Sequence, residues 1–560
     1  MPADIDGTAP SARAGSPLPD CGEKTLPDQA PKKSGDTLAR VLRERAKSRP
    51  EHPLLIQDDE TLTYRAADER SARIARALVG LGAGKGTHVG LLFPNTAEFV
   101  VAAFAAARIG AVVVPFSTFA TGRELRDQLI HADVEILLAA PRYRNHDYAA
   151  RIADLLGAPP SPDSAVPLLN PELPQLRQVI FDETALDSQA DDIAPELLAA
   201  LEQDVHGSDV LSLIYTSGST STPKGVLHTH AALLGHQRGL NEVRGLTVDD
   251  RLFCNSPFFW IGGFAYALLA TLTAGSTLVC STAEDPGRTL DLLERVRPTT
   301  TNGFDAGVAH LARHPGFAER DLSFLRRGNL YSLMPPRARP ADRELRHNML
   351  GMTEAGSVLL LSDDESDQPE RRRGSFGRPA PGYEIRIADP ETGDALPDGQ
   401  AGELWVRGPH LMLGYHKRCR EESFDADGWF HTGDLTGIDD EGFVYFLGRR
   451  GAMIKTAGAD VAPVEVERAI ATVTGGVVAH VVGLPDAERG RIVAAVLVSG
   501  NLPVPDETIV RERLRAELSA YKVPRRFVTV SPADLPLRAG GKIDAARLAE
   551  LFETGGPFDA

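Results

Sequence analysis

A chain of 560 residues that is 42% hydrophobic and 24% charged has enough apolar material for several domain-sized cores, which excludes a disordered or fibrous class. Its 77 Asp and Glu against 60 Lys and Arg give a net charge of −17, so a nucleic-acid or anionic-membrane partner is not expected, although a local basic cleft could still hold nucleotide phosphates. Cys21, Cys254, Cys280 and Cys419 are far apart in sequence and form no CxxC pair, which argues against structural zinc and fits a reducing compartment.

Residues 1–36 are rich in Pro, Ser, Ala and Gly, lack periodicity and read as a disordered tail with no apolar leader, so a cytoplasmic location is expected. "ADERSARIARALVGLG" is an amphipathic helix ending in glycine, followed by "HVGLLF" as a strand, "EFVVAAFAAARIG" as a helix and "AVVVPF" as a strand. This alternation predicts βαβ units and a mainly parallel sheet covered on both faces. "GLGAGKG" at 80–86 is a helix cap and turn rather than a dinucleotide loop, because Lys85 breaks GxGxxG and the order of elements is reversed. Ser256 to Ala283 contains no charged residue, yet Gly275-Ser276-Thr277 divides it into a helix-like and a strand-like part, each too short to span a membrane. Beyond Gly374, "YEIRIADPETGDALPDGQAGELWVRG" has the alternation and turns of antiparallel strands. The segments "VEVERAIATV", "VVAHVVGLPD", "IVAAVLV" and "IVRERLRAELSA" then suit a small α+β domain. The expected fold is α/β: a large N-terminal region (37–447) of parallel-rich sheets packed with helices, plus a β-rich subdomain. A hinge at 448–452 and a small, mobile C-terminal lid at 453–560 complete it.

"LIYTSGSTSTPKGVLHTHAALL" raises the functional question. "VLSLIY" (210–215) reads as a buried strand and "HAALLGHQ" (230–237) as a helix, with a loop of six hydroxyl residues in seven leading from one to the other. Such a loop exposes N–H groups, and Lys224 adds a point charge, a combination suited to phosphate. The generic P-loop is not present: Pro223 takes the second glycine's place and Gly225 replaces the Ser/Thr. A solvated turn stays open as the alternative. "HTH" at 228–230 lacks further nearby ligands for a metal, and no GxSxG elbow of a serine hydrolase is present.

"YTSGSTSTPKGVLHTH" resembles the phosphate-loop signature of the adenylate-forming superfamily, which includes acyl-CoA synthetases. "GMTEAG", "GELWVRGPHLMLGYHK", "DGWFHTGDLTGIDDEGFVYFLGRR" and "LPLRAGGKID" follow in that family's order. The resemblance implies a carboxylic acid attacking the α-phosphate of ATP, followed by capture of the acyl-adenylate by the thiol of coenzyme A. It places Thr216, Ser217, Gly218, Ser219, Thr220, Lys224 and Gly225 on the β and γ phosphates, and Thr353 on the α-phosphate. It gives Glu354 to Mg²⁺, Asp434 and Arg449 to the ribose, and Lys542 to the bridge between acyl carboxylate and α-phosphate. Trp260, Gly303 and Gly351 fall on the substrate side, and Phe258 and Phe259 read as core aromatics. The implied partners are an acid or its adenylate and CoA, and a homodimer is compatible with the pattern.

Several positions depart from the family. Leu350 stands where an aromatic usually stacks on adenine, and "NLYSLMPPRARPADRELRHNML" replaces a glycine-rich stretch at the adenine site. Ala452 replaces a common hinge acid, and Arg538 a common threonine. Three readings follow: a complete acid–thiol ligase, an enzyme mainly of the thioester-forming half, and a non-catalytic adenylate-binding homologue. An apolar acyl group is the expected substrate, with fatty, aryl and polycyclic acids not separated.

Overall fold

The computed structural model describes residues 36–160, 166–216, 224–450, 454–456, 459–461, 463–486, 490–500, 502–518, 522–537 and 543–552. The proposed tail, Ser217, Gly218, Ser219, Thr220 and Lys542 therefore lie outside the described residues, apart from Asp36, which pairs with Arg238.

Thr63 starts the helix Tyr64–Gly80 by accepting a hydrogen bond from the amide of Ala66. This helix buries Tyr64, Ala67, Ser71, Ile74, Ala75 and Leu78, the stripe expected of an amphipathic helix lying on a sheet. The helix Ala97–Arg108 is buried along its whole length, and its alanines let it pack closely between layers. One continuous core draws on both helices and on two sheets.

The first sheet has seven strands in the order Gly414–Tyr415, Lys224–Thr229, Val210–Thr216, Val112–Pro115, His88–Leu92, Ile136–Ala139 and Gln178–Ile180. The last five are parallel, as the βαβ reading requires. The second sheet has six strands, Arg327–Gly328, Thr300–Asn302, Arg251–Cys254, Thr277–Cys280, Pro53–Gln57 and Glu60–Thr63, parallel except for the last pair. An antiparallel sheet of Glu384–Ala388, Ala401–Arg407, Phe430–Ile438 and Val444–Arg449 forms the β-rich part. Near the C-terminus, Ala479–Asp486, Gly490–Val498 and Arg526–Val530 form a sheet, accompanied by the helices Pro463–Thr474 and Glu507–Glu517. Arg468 on the first of these helices reaches back to Glu344 at 3.8 Å.

Two expectations are corrected, and a third, the helix from Phe264, forms with a winding the sequence did not announce. The hydroxyl-rich segment does not lead from strand to helix: it joins two antiparallel strands, and the helix His230–Val243 begins only after Lys224–Thr229. The strand Val444–Arg449 includes Gly448 and Arg449, which pair with Leu435 and Asp434, so the chain leaves the sheet only at Arg450. The apolar stretch from Phe264 is wound as a π-helix over Phe264–Leu269 before becoming α-helical over Ala270–Ala274. Among the described residues no helix is long and apolar enough to cross a membrane. Cys254 and Cys280, distant in sequence, end neighbouring strands and are both buried and free.

Arg108 is a fully buried cation at the end of its helix. It donates from Nε to Ser71 at 3.0 Å and pairs with Asp68 and Glu202. Glu202 keeps a second partner in Arg43. Arg108→Ala is expected to lower unfolding free energy by about 3 kcal/mol, the lower end for breaking a buried pair. Denaturant unfolding with an unchanged m-value checks it.

Candidate active site

The strand Lys224–Thr229 has partners on both edges. Val226 pairs with Ile214 on one side and with Tyr415 on the other. Thr216 and Lys224 face each other in register at the mouth of the hairpin, so the cation and a hydroxyl flank the two ends of the segment predicted to hold phosphate. A Cβ on Gly225 would lie 2.7 Å from Leu213 Cδ2, so a larger residue there requires the Leu213 side chain to move.

Tyr415 is carried against Glu354 by the same pairing. Its hydroxyl donates to Glu354 Oε1 at 2.8 Å, and the Lys224 ammonium lies 4.7 Å from its ring centroid. Cation, phenol and carboxylate therefore form a row. The Glu354 backbone is fixed in turn by the Met412 amide, which donates to its carbonyl at 2.9 Å. Beneath the row, the ring of His228 contacts the Thr353 carbonyl oxygen at 2.6 Å. Burial pushes the His228 pKa down to about 4, so the ring is neutral near pH 7 and donates from Nε2. His228 is thus a support for the Thr353–Ala355 turn. Among the described residues no group of three or more His, Cys, Asp or Glu is arranged for a metal.

Asp434 sits on the strand Phe430–Ile438 opposite Arg449, whose Nε donates to its Oδ1 at 2.7 Å. Only 1% of Asp434 is exposed. Desolvation raises its pKa, the pairing with Arg449 opposes the rise, and the charges of Glu354 and Glu403 add to it. The charge of Glu354 thus bears on Asp434 through space. Glu403 accepts from the Gly433 amide at 2.9 Å and supports the turn before Asp434.

Gly303 has φ 144°, and a Cβ there would lie 1.7 Å from Asn255 Oδ1. Its amide and carbonyl are both held by the Asn329 side chain at 3.0 Å. Trp260 packs edge-on to Phe304 at 5.5 Å, next to Gly303. Phe258 and Phe259 are buried, as expected of core aromatics. Gly351 pairs with Val358 and approaches the Ser357 carbonyl too closely for a larger residue. Leu350 packs against the core beside it. The structure thus links Thr216 with Lys224, Lys224 with Glu354 through Tyr415, and Asp434 with Arg449, while Trp260 lies near Gly303 and Gly351 lies two residues before Thr353. Sequence reasoning gave no role to Tyr415, Glu403 or Asn329. The only signal for Tyr415 was its place in "LGYHK".

The model of AMP-binding enzymes matches residues 42–416, and that of the AMP-binding enzyme C-terminal domain matches 465–542. The chain belongs to the AMP-binding enzyme family. Among its curated relatives is the "3-[(3aS,4S,7aS)-7a-methyl-1,5-dioxo-octahydro-1H-inden-4-yl]propanoyl:CoA ligase" of Mycobacterium tuberculosis, 32% identical over 90% of this chain and 96% of the relative. Another is the feruloyl-CoA synthase of an Amycolatopsis species, 31% identical over 91% of this chain and 97% of the relative. Solved structures with the same fold include the anthranilate CoA ligase AuaEII in complex with anthranoyl-AMP, at TM-score 0.75 and 25% identity over 93% of this chain and 98% of that one. ATP-bound MatB from Rhodopseudomonas palustris superposes at TM-score 0.75 with 27% identity over 92% of this chain and 99% of that one. This AMP-binding enzyme is an AMP-forming acid–thiol ligase.

The family resemblance assigns Asp434 to the ribose, and on that assignment AMP binding depends on pH. A sugar's hydroxyls need the ionised carboxylate as acceptor, and the folded pKa lies above that of an ordinary aspartate. AMP affinity should therefore fall as pH drops through a value above the usual Asp range, and Asp434→Asn should remove that acidic limb while weakening binding at neutral pH. Calorimetric titration of AMP from acid to neutral pH checks it.

Proposed function

We propose that Thr216, Lys224, Thr353, Glu354, Asp434 and Arg449 hold ATP, with Ser217, Gly218, Ser219, Thr220 and Gly225 completing the phosphate cradle, while Lys542 supplies a movable ammonium. The observation that carries this reading is the row Lys224–Tyr415–Glu354, set beside the paired Asp434 and Arg449.

In the first step an acid's carboxylate oxygen forms a bond to the α-phosphorus and the bond to the β-phosphate oxygen breaks, releasing pyrophosphate. Negative charge accumulates on phosphate oxygens, so fixed cations and N–H donors do most of the work. Lys224 and the hydroxyls meet the leaving pyrophosphate, and Lys542 spans carboxylate and α-phosphate. In the second step the sulfur of coenzyme A attacks the acyl carbon, the thiol proton is lost and AMP departs.

Glu354 offers hard carboxylate oxygens of the kind that suit Mg²⁺, which is commonly held by one or two carboxylates, waters and substrate phosphates. When bound, it would neutralise phosphate charge; Tyr415 keeps Glu354 oriented for it by donating to one carboxylate oxygen.

We place the pivot of the lid just beyond Arg449, because strand pairing fixes the chain up to that residue. A module turning there could bring Lys542 in for adenylation and withdraw it for thiol entry. Leu350 gives adenine an aliphatic face in place of an aromatic one, which favours a weaker KM for ATP over loss of the first half-reaction.

Lys542→Ala is expected to lower pyrophosphate and AMP formation by about 10²–10³ while leaving thioester formation from a supplied acyl-adenylate largely intact. Quenched assays reading pyrophosphate, AMP and thioester separately check it. Pyrophosphate exchange absent from the unaltered enzyme, with thioester still formed from the adenylate, would favour the half-reaction reading.

A further inference from the structure

The backbone that carries Thr353 and Glu354 turns sharply. Gly356 has φ 62° and Ser357 has φ 147°, so a serine is held in a region that favours glycine. Such a conformation persists only where its surroundings over-determine it. The carbonyls of the turn show how this is done. Those of Thr353 and Glu354 accept from His228 and from the Met412 amide. The Ala355 carbonyl accepts from the Tyr383 hydroxyl at 2.7 Å, the Gly356 carbonyl from Gln237 Nε2 at 3.2 Å and the Val358 carbonyl from His236 Nε2 at 3.0 Å. Gln237 Nε2 also reaches Ser357 Oγ at 3.0 Å. Every one of these donors comes from outside the turn.

Three of the donors share one stretch of chain with Lys224. The strand Lys224–Thr229 passes directly into the helix His230–Val243, whose start Thr229 caps by accepting from the Ala232 amide at 3.1 Å. His228 lies on the strand, His236 and Gln237 lie on the helix, and all three are buried. Small residues let the helix approach: a Cβ on Gly235 would lie 3.0 Å from His410 Cε1, and one on Gly356 would lie 3.1 Å from Leu233 Cδ2. The Tyr383 ring stands edge-on to His236 with centroids 5.2 Å apart. Burial pushes the His236 pKa down to about 3, so at neutral pH its ring is an uncharged donor.

The result is a fixed spacing. A strand and helix joined without a loop move together, so Lys224 at one end and the turn bonded to the other cannot shift independently. Phosphoryl transfer draws its rate from the placement of such groups around the phosphates, and small displacements are costly.

We infer that Gln237 and Tyr383 are positioning residues for adenylation, holding Thr353 and Glu354 in register with Lys224. The inference rests on the ligase reading above and adds two buried residues to it.

The test compares the unaltered full-length enzyme with Tyr383→Phe and Gln237→Met, each of which removes a donor at nearly constant volume. Pyrophosphate release is read with ATP, Mg²⁺ and the best used of nonanoic, 3-phenylpropanoic and decalin-2-carboxylic acids. Thioester formation is read from the adenylate of that acid with CoA. Each variant is expected to lower kcat for pyrophosphate release by about 10–100-fold, as when a partner behind a functional group is lost, while KM for the acid stays within about twofold and thioester formation falls less than about threefold. Arg108→Ala, which weakens the fold through a different buried network, is the comparator and should lower both half-reactions alike. Circular dichroism gives the folded fraction of each variant. Pyrophosphate release at the unaltered rate, or loss of both half-reactions in step with the folded fraction, would overturn the inference and leave the ligase reading standing. Failure of the unaltered enzyme to release pyrophosphate with any of the acids and to form thioester from any of their adenylates would overturn both.

Discussion

The candidate site depends on the double pairing of one six-residue strand, Lys224–Thr229. Its edge toward Val210–Thr216 sets the hairpin whose mouth holds Thr216 and Lys224. Its edge toward Gly414–Tyr415 brings the phenol of Tyr415 to Glu354, a residue 61 positions earlier in the chain. Its inward side chain, His228, supports the carbonyl of Thr353. Side chains alternate along a strand, so a slip of one residue would turn Lys224 and His228 to the opposite face and dismantle all three relations together.

Around this strand, charge is deployed in two ways. Lys224 and Glu354 are linked through a shared phenol without making a direct ion pair with each other, which leaves both able to engage a ligand. Asp434 is instead buried and held by Arg449 at a cost in desolvation. A carboxylate kept charged in such surroundings can favour a ligand whose hydroxyls supply the hydrogen bonds that water no longer provides.

Much of the architecture was readable because it follows periodicity. The helix Tyr64–Gly80, the all-apolar strands between 88 and 139 and the alternating strands between 384 and 407 obey the spacings that burial on one or both faces imposes. The strand Lys224–Thr229 escaped because a lysine, a glycine, a histidine and a threonine in six residues do not read as a strand. Thr216, Lys224, Glu354, Asp434 and Arg449 were legible as motif positions, yet motifs did not reveal Tyr415, Glu403 or Asn329, whose parts depend on pairing across long stretches of chain.

The wider winding of Phe264–Leu269 bears on how this part of the fold could diversify. An α-helix advances about 100° per residue, so gaining or losing one residue reorients everything that follows. Such segments accommodate a single inserted residue within an otherwise α-helical run. Tyr266, within that segment, lies under Arg244 at 4.1 Å. A one-codon deletion there could reorient the following helix, Ala270–Ala274, without replacing any of its residues, which makes segment length, alongside side-chain identity, a variable of this fold.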